Sequence, residues 1–136
     1  GAQATALCIF FARHGVTPSE IQARIENDFA YDLSLSVDEI RPRYSWQGLD
    51  GVISGATCQG SVPQAIICAI KAKSYEDAIR NAISIGGDSD TIGCISGAIA
   101  EALFGIPEDI RKKGMNFLPL PLQDTVLTFE NKYGFK

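Results

Sequence analysis

Apolar residues recur three to four positions apart along most of the chain, which is the spacing of one face of a helix. The segment from Ala2 to Arg13 is apolar on most sides, with Leu7, Phe10 and Phe11 at helical spacing, and this predicts a buried helix. No segment alternates between apolar and polar positions for long enough to make a convincing strand. The pattern therefore predicts an all-α fold, a compact helical bundle that forms a single domain over residues 1–136.

Capping residues mark where several of these helices begin. Thr17-Pro18-Ser19-Glu20 and Ser36-Val37-Asp38-Glu39 have the capping-box pattern, in which a hydroxyl residue precedes a glutamate or glutamine by three positions. Ser61-Val62-Pro63-Gln64 is a third box and predicts a helix from Ala65 to Lys73. Ser74 predicts the cap of the helix that follows.

The C-terminal third has its own start and stop signals. A long helical pattern ends at Gly105, and Pro107 begins another helix. The stretch from Leu118 to Leu122 contains two prolines and predicts an extended connector. The last helix is then expected to begin at Gln123-Asp124-Thr125, as its N-cap, and to end at Gly134.

Composition limits the classes of protein to consider. The 136 residues are 46% hydrophobic, which suffices for one globular domain. A net charge of −4 argues against a polyanionic nucleic acid as the main partner. No apolar run approaches the length of a transmembrane helix, and the first residues lack the basic region of a signal peptide. The four cysteines form no Cys-x-x-Cys pair, so we expect a cytoplasmic protein with neither a nucleic-acid nor a membrane partner.

The most informative run is Gly86-Gly87-Asp88-Ser89-Asp90-Thr91, which directly precedes the helical pattern from Ile92 to Phe104. Two carboxylates two positions apart, with a hydroxyl one position later, bring together hard oxygen ligands, which suit Mg²⁺, Mn²⁺ or Ca²⁺. The glycine pair permits positive φ and close approach of a ligand. Free N–H groups at a helix N-terminus favour phosphate. An ordinary capped helix is the alternative, since aspartate, serine and threonine are all good N-caps.

The residues around this turn resemble those of a known family. The text from Asp77-Ala-Ile-Arg-Asn-Ala-Ile-Ser-Ile-Gly-Gly-Asp-Ser-Asp-Thr-Ile-Gly to Gly97-Ala-Ile-Ala-Glu-Ala-Leu-Phe-Gly105 closely resembles the C-terminal signature of the ADP-ribosylglycohydrolase family. The resemblance implies the same all-α fold and hydrolysis of the glycosidic bond between ADP-ribose and a modified acceptor. It also implies ADP-ribose or an ADP-ribosylated substrate as partner, and a two-metal Mg²⁺ or Mn²⁺ centre. The implied metal ligands are Asp88, Asp90 and Thr91, with Ser89 as a candidate substrate contact.

A second region, the glycine-rich loop from Arg43 to Gly60, leads to further candidate contacts. The loop carries Tyr44 and ends at another glycine-preceded helix N-terminus, which is able to face an anion. Cys58-Gln-Gly-Ser-Val-Pro-Gln-Ala resembles the family segment that lies near bound ADP-ribose. The resemblance implies that Gly60 and Ser61 contact the substrate. A surface connector without function is the alternative.

The chain departs from the family pattern at its beginning. Gly1-Ala2-Gln3-Ala4-Thr5-Ala6 resembles a helix in the middle of the family domain. The Gly-Asp-Ala-type and Thr-Asp-Asp-Thr-type turns, which supply the remaining metal ligands and an acidic residue in the family, do not occur in the sequence. We therefore expect the C-terminal part of a family domain, inactive alone, whether truncated, cleaved or split. Its expected partner is the missing N-terminal half or a second copy, in a homo-oligomer that buries the neighbourhood of Phe10, Phe11 and Ile99.

Two other functions stay open. In the first, the chain is a catalytically dead remnant that acts as a binding or structural module. In the second, Asp88-Ser89-Asp90-Thr91-Ile92 is the Asp-x-Asp start of a haloacid-dehalogenase-type phosphotransferase. That motif has to end a β-strand with most of a Rossmann-like domain after it, whereas here it opens a helix only 48 residues from the end of the sequence.

Overall fold

The structure, a computed structural model, describes residues 1–48 and 53–133. Contacts divide the chain into two units, Gly1–Gly105 and Ile106–Lys136. The first unit contains, in chain order, α1 (Ala2–Arg13), α2 (Pro18–Phe29), α3 (Val37–Ile40), a 3₁₀ turn (Arg41–Arg43), β1 (Tyr44–Ser45), β2 (Ile53–Ser54), α4 (Cys58–Ile70), α5 (Tyr75–Ser84) and α6 (Ser89–Phe104). The second unit contains α7 (Glu108–Phe117) and α8 (Leu120–Tyr133).

The predicted all-α fold class is confirmed. None of the described helices is long and apolar enough to cross a membrane.

Helix α4 lies at the centre of the first unit. All of its residues from Gly60 to Ile70 are buried, and α1, α2, α5 and α6 pack against it. Helix α6 packs in turn against α1 and α5. The fully buried Ser96 hydroxyl in α6 donates to the carbonyl oxygen of Ala65 in α4 at 2.8 Å, so this polar group is satisfied inside the core. The same packing fixes α6 and the turn that precedes it.

Local sequence signals predict several helix starts correctly. Both capping boxes form, because the side chains of Thr17 and Ser36 accept from the backbone N–H of Glu20 and Glu39, whose carboxylates accept from the cap residues. Ser74 caps α5 by accepting a backbone N–H at 3.1 Å. Each of these interactions spans only three positions, which is why the sequence alone predicts them.

The predicted capping box at Ser61 is wrong. The helix begins at Cys58, after Thr57, whose side chain accepts from the Gly60 N–H at 3.1 Å. Ser61 lies inside α4 and donates its hydroxyl proton to the Thr57 carbonyl oxygen at 2.9 Å. Pro63 also lies inside α4, where it lacks the N–H for a helix hydrogen bond. The cap at Thr57 and the close packing of Gly60 on β2 place the helix start before the capping pattern at Ser61.

The predicted extended connector before the last helix is wrong as well, because α8 already begins at Leu120. Pro121 lies in the first turn, where its missing N–H leaves no helix hydrogen bond unmade. Asp124 and Thr125, predicted as the N-cap, lie within α8, and the Thr125 hydroxyl donates to the Pro121 carbonyl oxygen at 2.9 Å. The predicted end at Gly134 lies outside the described residues.

The glycine-rich loop contains two short strands that periodicity does not predict. Strands β1 and β2 pair in parallel, with Tyr44 opposite Ile53. Residues 49–52, between the strands, lie outside the described residues. Two residues are too few to show an alternating pattern, so this pairing becomes visible only in the structure.

The surface expected for a homo-oligomer needs one correction. Ile99 is fully buried inside the first unit and cannot contribute to an exposed apolar surface. Phe10 is 52% exposed, and Phe11 is half-buried, with the Arg24 guanidinium 4.8 Å from its ring centroid. The homo-oligomer itself stays a prediction.

Candidate functional site

Two glycines with positive φ build the turn between α5 and α6. The φ angle is +73° at Gly86 and +61° at Gly87, a region that residues with side chains rarely adopt. Gly87 is also closely packed, because a Cβ atom there would lie 2.5 Å from Tyr44 Cε1. The turn leads the chain sharply from α5 into α6 and leaves Asp88 as the N-cap. Since a helix and not a strand precedes the turn, the structure does not support the phosphotransferase interpretation.

The Asp88 side chain is not used as a cap. Its backbone carbonyl accepts from the Ile92 N–H at 3.0 Å, but its side chain makes no capping hydrogen bond. It lies within reach of the side chain of Asp90, which is exposed. The Asp88 side chain, together with the backbone of Asp90 and Thr91, holds the pKa of the Asp90 carboxyl group below its ordinary value. The structure therefore brings the two predicted metal-binding carboxyl groups together.

The other two candidates on this turn lie beside the carboxyl groups. Ser89 and Thr91 are half-buried residues in the first turn of α6. The sequence predicts that Ser89 and Thr91 lie near the two carboxyl groups, because residues one position apart in a helix turn cannot separate far. Their roles as substrate contact and metal ligand stay predictions.

Gly60 and Ser61 are placed differently. A Cβ atom at Gly60 would lie 1.7 Å from the Ser54 carbonyl oxygen, so the first turn of α4 packs directly on β2. The Gly60 N–H and the Ser61 hydroxyl both bond to Thr57, and both residues are buried. A ligand that used these two polar groups would have to displace Thr57. Their contact with the substrate stays a prediction.

Tyr44 joins the two candidate regions, although its sequence context does not place it there. The residue is only 6% exposed, and its ring lies against Gly87. A Cβ atom at Gly55 would lie 2.5 Å from Tyr44 Oη and 3.4 Å from Asp88 Cβ, so the hydroxyl and Asp88 are close neighbours. Burial and the Asp88 carboxylate raise the pKa of Tyr44 to about 12, against a smaller opposing effect of the Asp88 backbone. The phenol therefore stays protonated at neutral pH. An aromatic residue that opens a glycine-rich loop was the sequence signal for it.

The oxygen donors on the turn suit a hard divalent cation, but they are few. Asp88 and Asp90 offer carboxylate oxygens, and Thr91 offers a hydroxyl. Within residues 1–48 and 53–133, no group of three or more His, Cys, Asp and Glu side chains is arranged to hold a metal ion. A carboxylate that is not needed as a cap, beside a second exposed one, fits one side of a cation site.

Comparison with known proteins agrees with the resemblance of the sequence. The family model described as ADP-ribosylglycohydrolase matches residues 2–127, which is most of the chain. No curated protein and no solved structure gave a significant match. The matched range includes the loop that carries Tyr44, the start of α4 and the whole turn from Gly86 to Thr91.

Proposed function

The chain belongs to the ADP-ribosylglycohydrolase family, and from this premise we propose that its turn from Asp88 to Thr91 is one side of a metal centre that hydrolyses ADP-ribose glycosidic bonds. The observation that carries the proposal is the pair of Asp88 and Asp90 carboxyl groups. They meet at the N-terminus of α6, while the Asp88 side chain caps nothing. A merely structural turn would use that side chain to satisfy the helix N-terminus.

Asp88, Asp90 and Thr91 would hold Mg²⁺ or Mn²⁺, since such ions prefer carboxylate and hydroxyl oxygens. When bound, the ion supplies Lewis-acid polarisation of the ribose hydroxyls and of the attacking water. The two carboxylates add negative charge beside the sugar, which favours a transition state with oxocarbenium character. Ser89 is proposed to contact ADP-ribose, and the N–H groups in the first turn of α6 favour its phosphates. Gly60 and Ser61 are proposed as further substrate contacts.

We propose that this side of the centre needs completion. Three oxygen ligands leave half of the octahedral coordination positions of a single Mg²⁺ ion to water. In our proposal the remaining ligands come from residues outside this sequence, in the N-terminal part of a family domain. The chain alone then binds metal weakly and turns over little substrate.

A reducing, cytoplasmic location is part of the proposal. All four cysteines are unpaired: Cys8 and Cys68 are buried, whereas Cys58 and Cys94 are exposed. Free thiols of both kinds are typical of proteins that stay in a reducing compartment.

Release of ADP-ribose from arginine-linked and serine-linked ADP-ribosylated peptides, with Mg²⁺ or Mn²⁺ present, tests the activity. We expect no release by this chain alone, and release when it is mixed with an N-terminal half that carries a Thr-Asp-Asp-Thr-type turn. In the mixture, Asp88→Asn should abolish release. Asp109→Asn, which removes the same charge from the first turn of α7, should leave it unchanged.

The outcomes separate the proposal from the alternatives. Robust release by the chain alone contradicts the need for completion. A mixture that binds ADP-ribose in an Asp88-dependent way without releasing it supports the alternative of a catalytically inactive binding module. A mixture in which Asp88→Asn and Asp109→Asn behave alike contradicts the assignment of the metal centre to α6.

A further inference from the structure

Tyr44 occupies a space that only glycines leave open. A Cβ atom at Gly55 would lie 2.5 Å from the Tyr44 hydroxyl oxygen, and a Cβ atom at Gly87 would lie 2.5 Å from its ring. Any larger residue at either position would push the ring away from the turn. The pairing of Tyr44 with Ile53 holds its backbone, and the Gly55 N–H donates to the neighbouring carbonyl of Ser45 at 2.8 Å. The position of the phenol is therefore fixed from both sides.

The Tyr44 hydroxyl is polar, buried and without a hydrogen-bond partner among the residues that the structure describes. Buried polar groups are nearly always hydrogen-bonded, because an unsatisfied one costs free energy. Its neighbour is Asp88, whose backbone N–H faces the phenol oxygen and whose side chain lies within reach of Asp90. The hydroxyl therefore lies beside the first ligand of the candidate metal centre, and its proton is not donated to any described residue.

We propose that Tyr44 is a positioning residue for this centre, and that its hydroxyl donates a hydrogen bond to the Asp88 carboxylate when that carboxylate turns from Asp90 toward a bound divalent cation. The inference rests on the proposed function. Hydrogen bonds from a second residue commonly orient a metal-binding carboxylate and fix which of its oxygens faces the ion. Tyr44 is too enclosed to contact the substrate itself, so it acts only through Asp88.

Nuclear magnetic resonance with Mn²⁺ alone as the probe tests this inference on the full chain. Bound Mn²⁺ broadens the backbone amide signals of nearby residues, and the effect is measurable even for weak binding. We expect broadening of residues 86–92 in the unmodified chain. Tyr44→Phe, which keeps the ring and removes only the hydroxyl, should raise the Mn²⁺ concentration for half-maximal broadening about tenfold. Its thermal midpoint should stay unchanged or rise, because no hydrogen bond is lost.

Tyr75→Phe is the matched control. Tyr75 is half-buried, and its hydroxyl lies near Gly97, about 14 Å along α6 from Asp88. This variant should bind Mn²⁺ as the unmodified chain does. In addition, Mg²⁺ should shift the ¹³Cζ signal of Tyr44, which reports a hydrogen bond of the hydroxyl, and should not shift that of Tyr75.

Each result has one meaning. Equal Mn²⁺ affinity of Tyr44→Phe and the unmodified chain, with broadening still centred on residues 86–92, overturns the role of Tyr44 and leaves the proposed function standing. A lower thermal midpoint of Tyr44→Phe with unchanged Mn²⁺ affinity shows a purely structural hydroxyl and overturns it too. No broadening of residues 86–92 in the unmodified chain overturns the metal centre, and with it the inference.

Discussion

The N-termini of α4 and α6 begin with similar residues and end with different arrangements. Both combine glycine with hydroxyl residues, and both were candidates for ligand contact. In α4, the Thr57 side chain accepts from the Gly60 N–H, and the Ser61 hydroxyl donates to the Thr57 carbonyl. In α6, the Asp88 side chain makes no capping bond and meets Asp90 instead. The two N-termini differ in whether their polar side chains form hydrogen bonds with the backbone of their own helix.

This comparison gives a practical rule for helix N-termini. A hydroxyl or carboxyl group that accepts a hydrogen bond from a free N–H of the helix has a structural role, because removing the group costs stability. A polar side chain at the same position that does not cap the helix is not explained by helix stability, and a ligand is one other explanation. The start of α4 fits the first description, and the start of α6 fits the second.

Gly60→Ala should have the largest effect on stability, because it disrupts the packing of α4 on β2. The new methyl group would lie 1.7 Å from the Ser54 carbonyl oxygen, which is backbone and cannot move aside easily. We expect a loss of about 3 kcal/mol or more in the free energy of unfolding, measured by urea denaturation.

Gly93→Ala on α6 is its control. Apart from its two chain neighbours and the backbone of α6, none of the described residues lies within 4 Å of the new Cβ position, so alanine should stabilise the helix by about 0.5–1 kcal/mol. Equal effects of the two substitutions would contradict the close packing of α4 on β2.

Removing the carboxylates of both Asp88 and Asp90 tests whether the N-terminus of α6 binds a metal ion. Asp88→Asn combined with Asp90→Asn should weaken Mn²⁺ binding at least tenfold, which is about 1.4 kcal/mol. The urea midpoint should change little, because the Asp88 side chain does not cap the helix. Mn²⁺ affinity can be measured by titration calorimetry or by the amide broadening described above. An unchanged affinity would contradict the assignment of Asp88 and Asp90 as metal ligands.

Two single substitutions compare the caps directly. Thr57→Ala removes a capping hydrogen bond and should cost about 1 kcal/mol in unfolding free energy without affecting Mn²⁺ binding. Asp88→Ala should cost less stability, since the helix loses only the weaker attraction of a carboxylate to its dipole and an exposed contact with Asp90. The rule fails if Asp88→Ala proves the more destabilising of the two.

The smallest expected effect concerns the titration of Asp90. Its pKa is lowered in the folded chain, mainly by the Asp88 side chain, so folding favours the charged form. The associated stability is present above the ordinary carboxyl pKa and is lost as the pH falls through the lowered value. The ¹³Cγ signal of Asp90 should therefore titrate below 3.8, the ordinary aspartate value, and Asp88→Ala should move it upward. An unchanged titration in Asp88→Ala would mean that the two side chains do not interact.

Features set by neighbouring residues could be predicted from the sequence. The capping boxes at Thr17 and Ser36 and the approach of Asp88 to Asp90 each span two or three positions. The start of α4 could not be predicted, because Thr57 and Ser61 are both acceptable caps and the packing of Gly60 on β2 depends on the tertiary structure. The start of α8 was also not predictable, because a proline such as Pro121 is equally compatible with an extended connector and with the first turn of a helix.

Tyr44 is the clearest case of what sequence patterns leave out. Its position depends on pairing with Ile53 and on the space at Gly55 and Gly87, which are 11 and 43 positions away. Periodicity and capping report only short-range preferences, so they predict neither the pairing nor the contact with Asp88. The structure therefore extends the candidate site by a residue that the sequence marks only as an aromatic in a glycine-rich loop.

Burial divides the four thiols into two classes of chemical reactivity. It raises the pKa of Cys8 and Cys68 to about 12, so neither carries appreciable thiolate at neutral pH. Cys58 and Cys94 are exposed and open to alkylating reagents. Cys58 is the first residue of α4, and Cys94 lies on α6, about 9 Å along the axis from Asp88. The unmodified chain thus offers one attachment point for a fluorescent or spin label near each of the two helix N-termini, without any engineered cysteine.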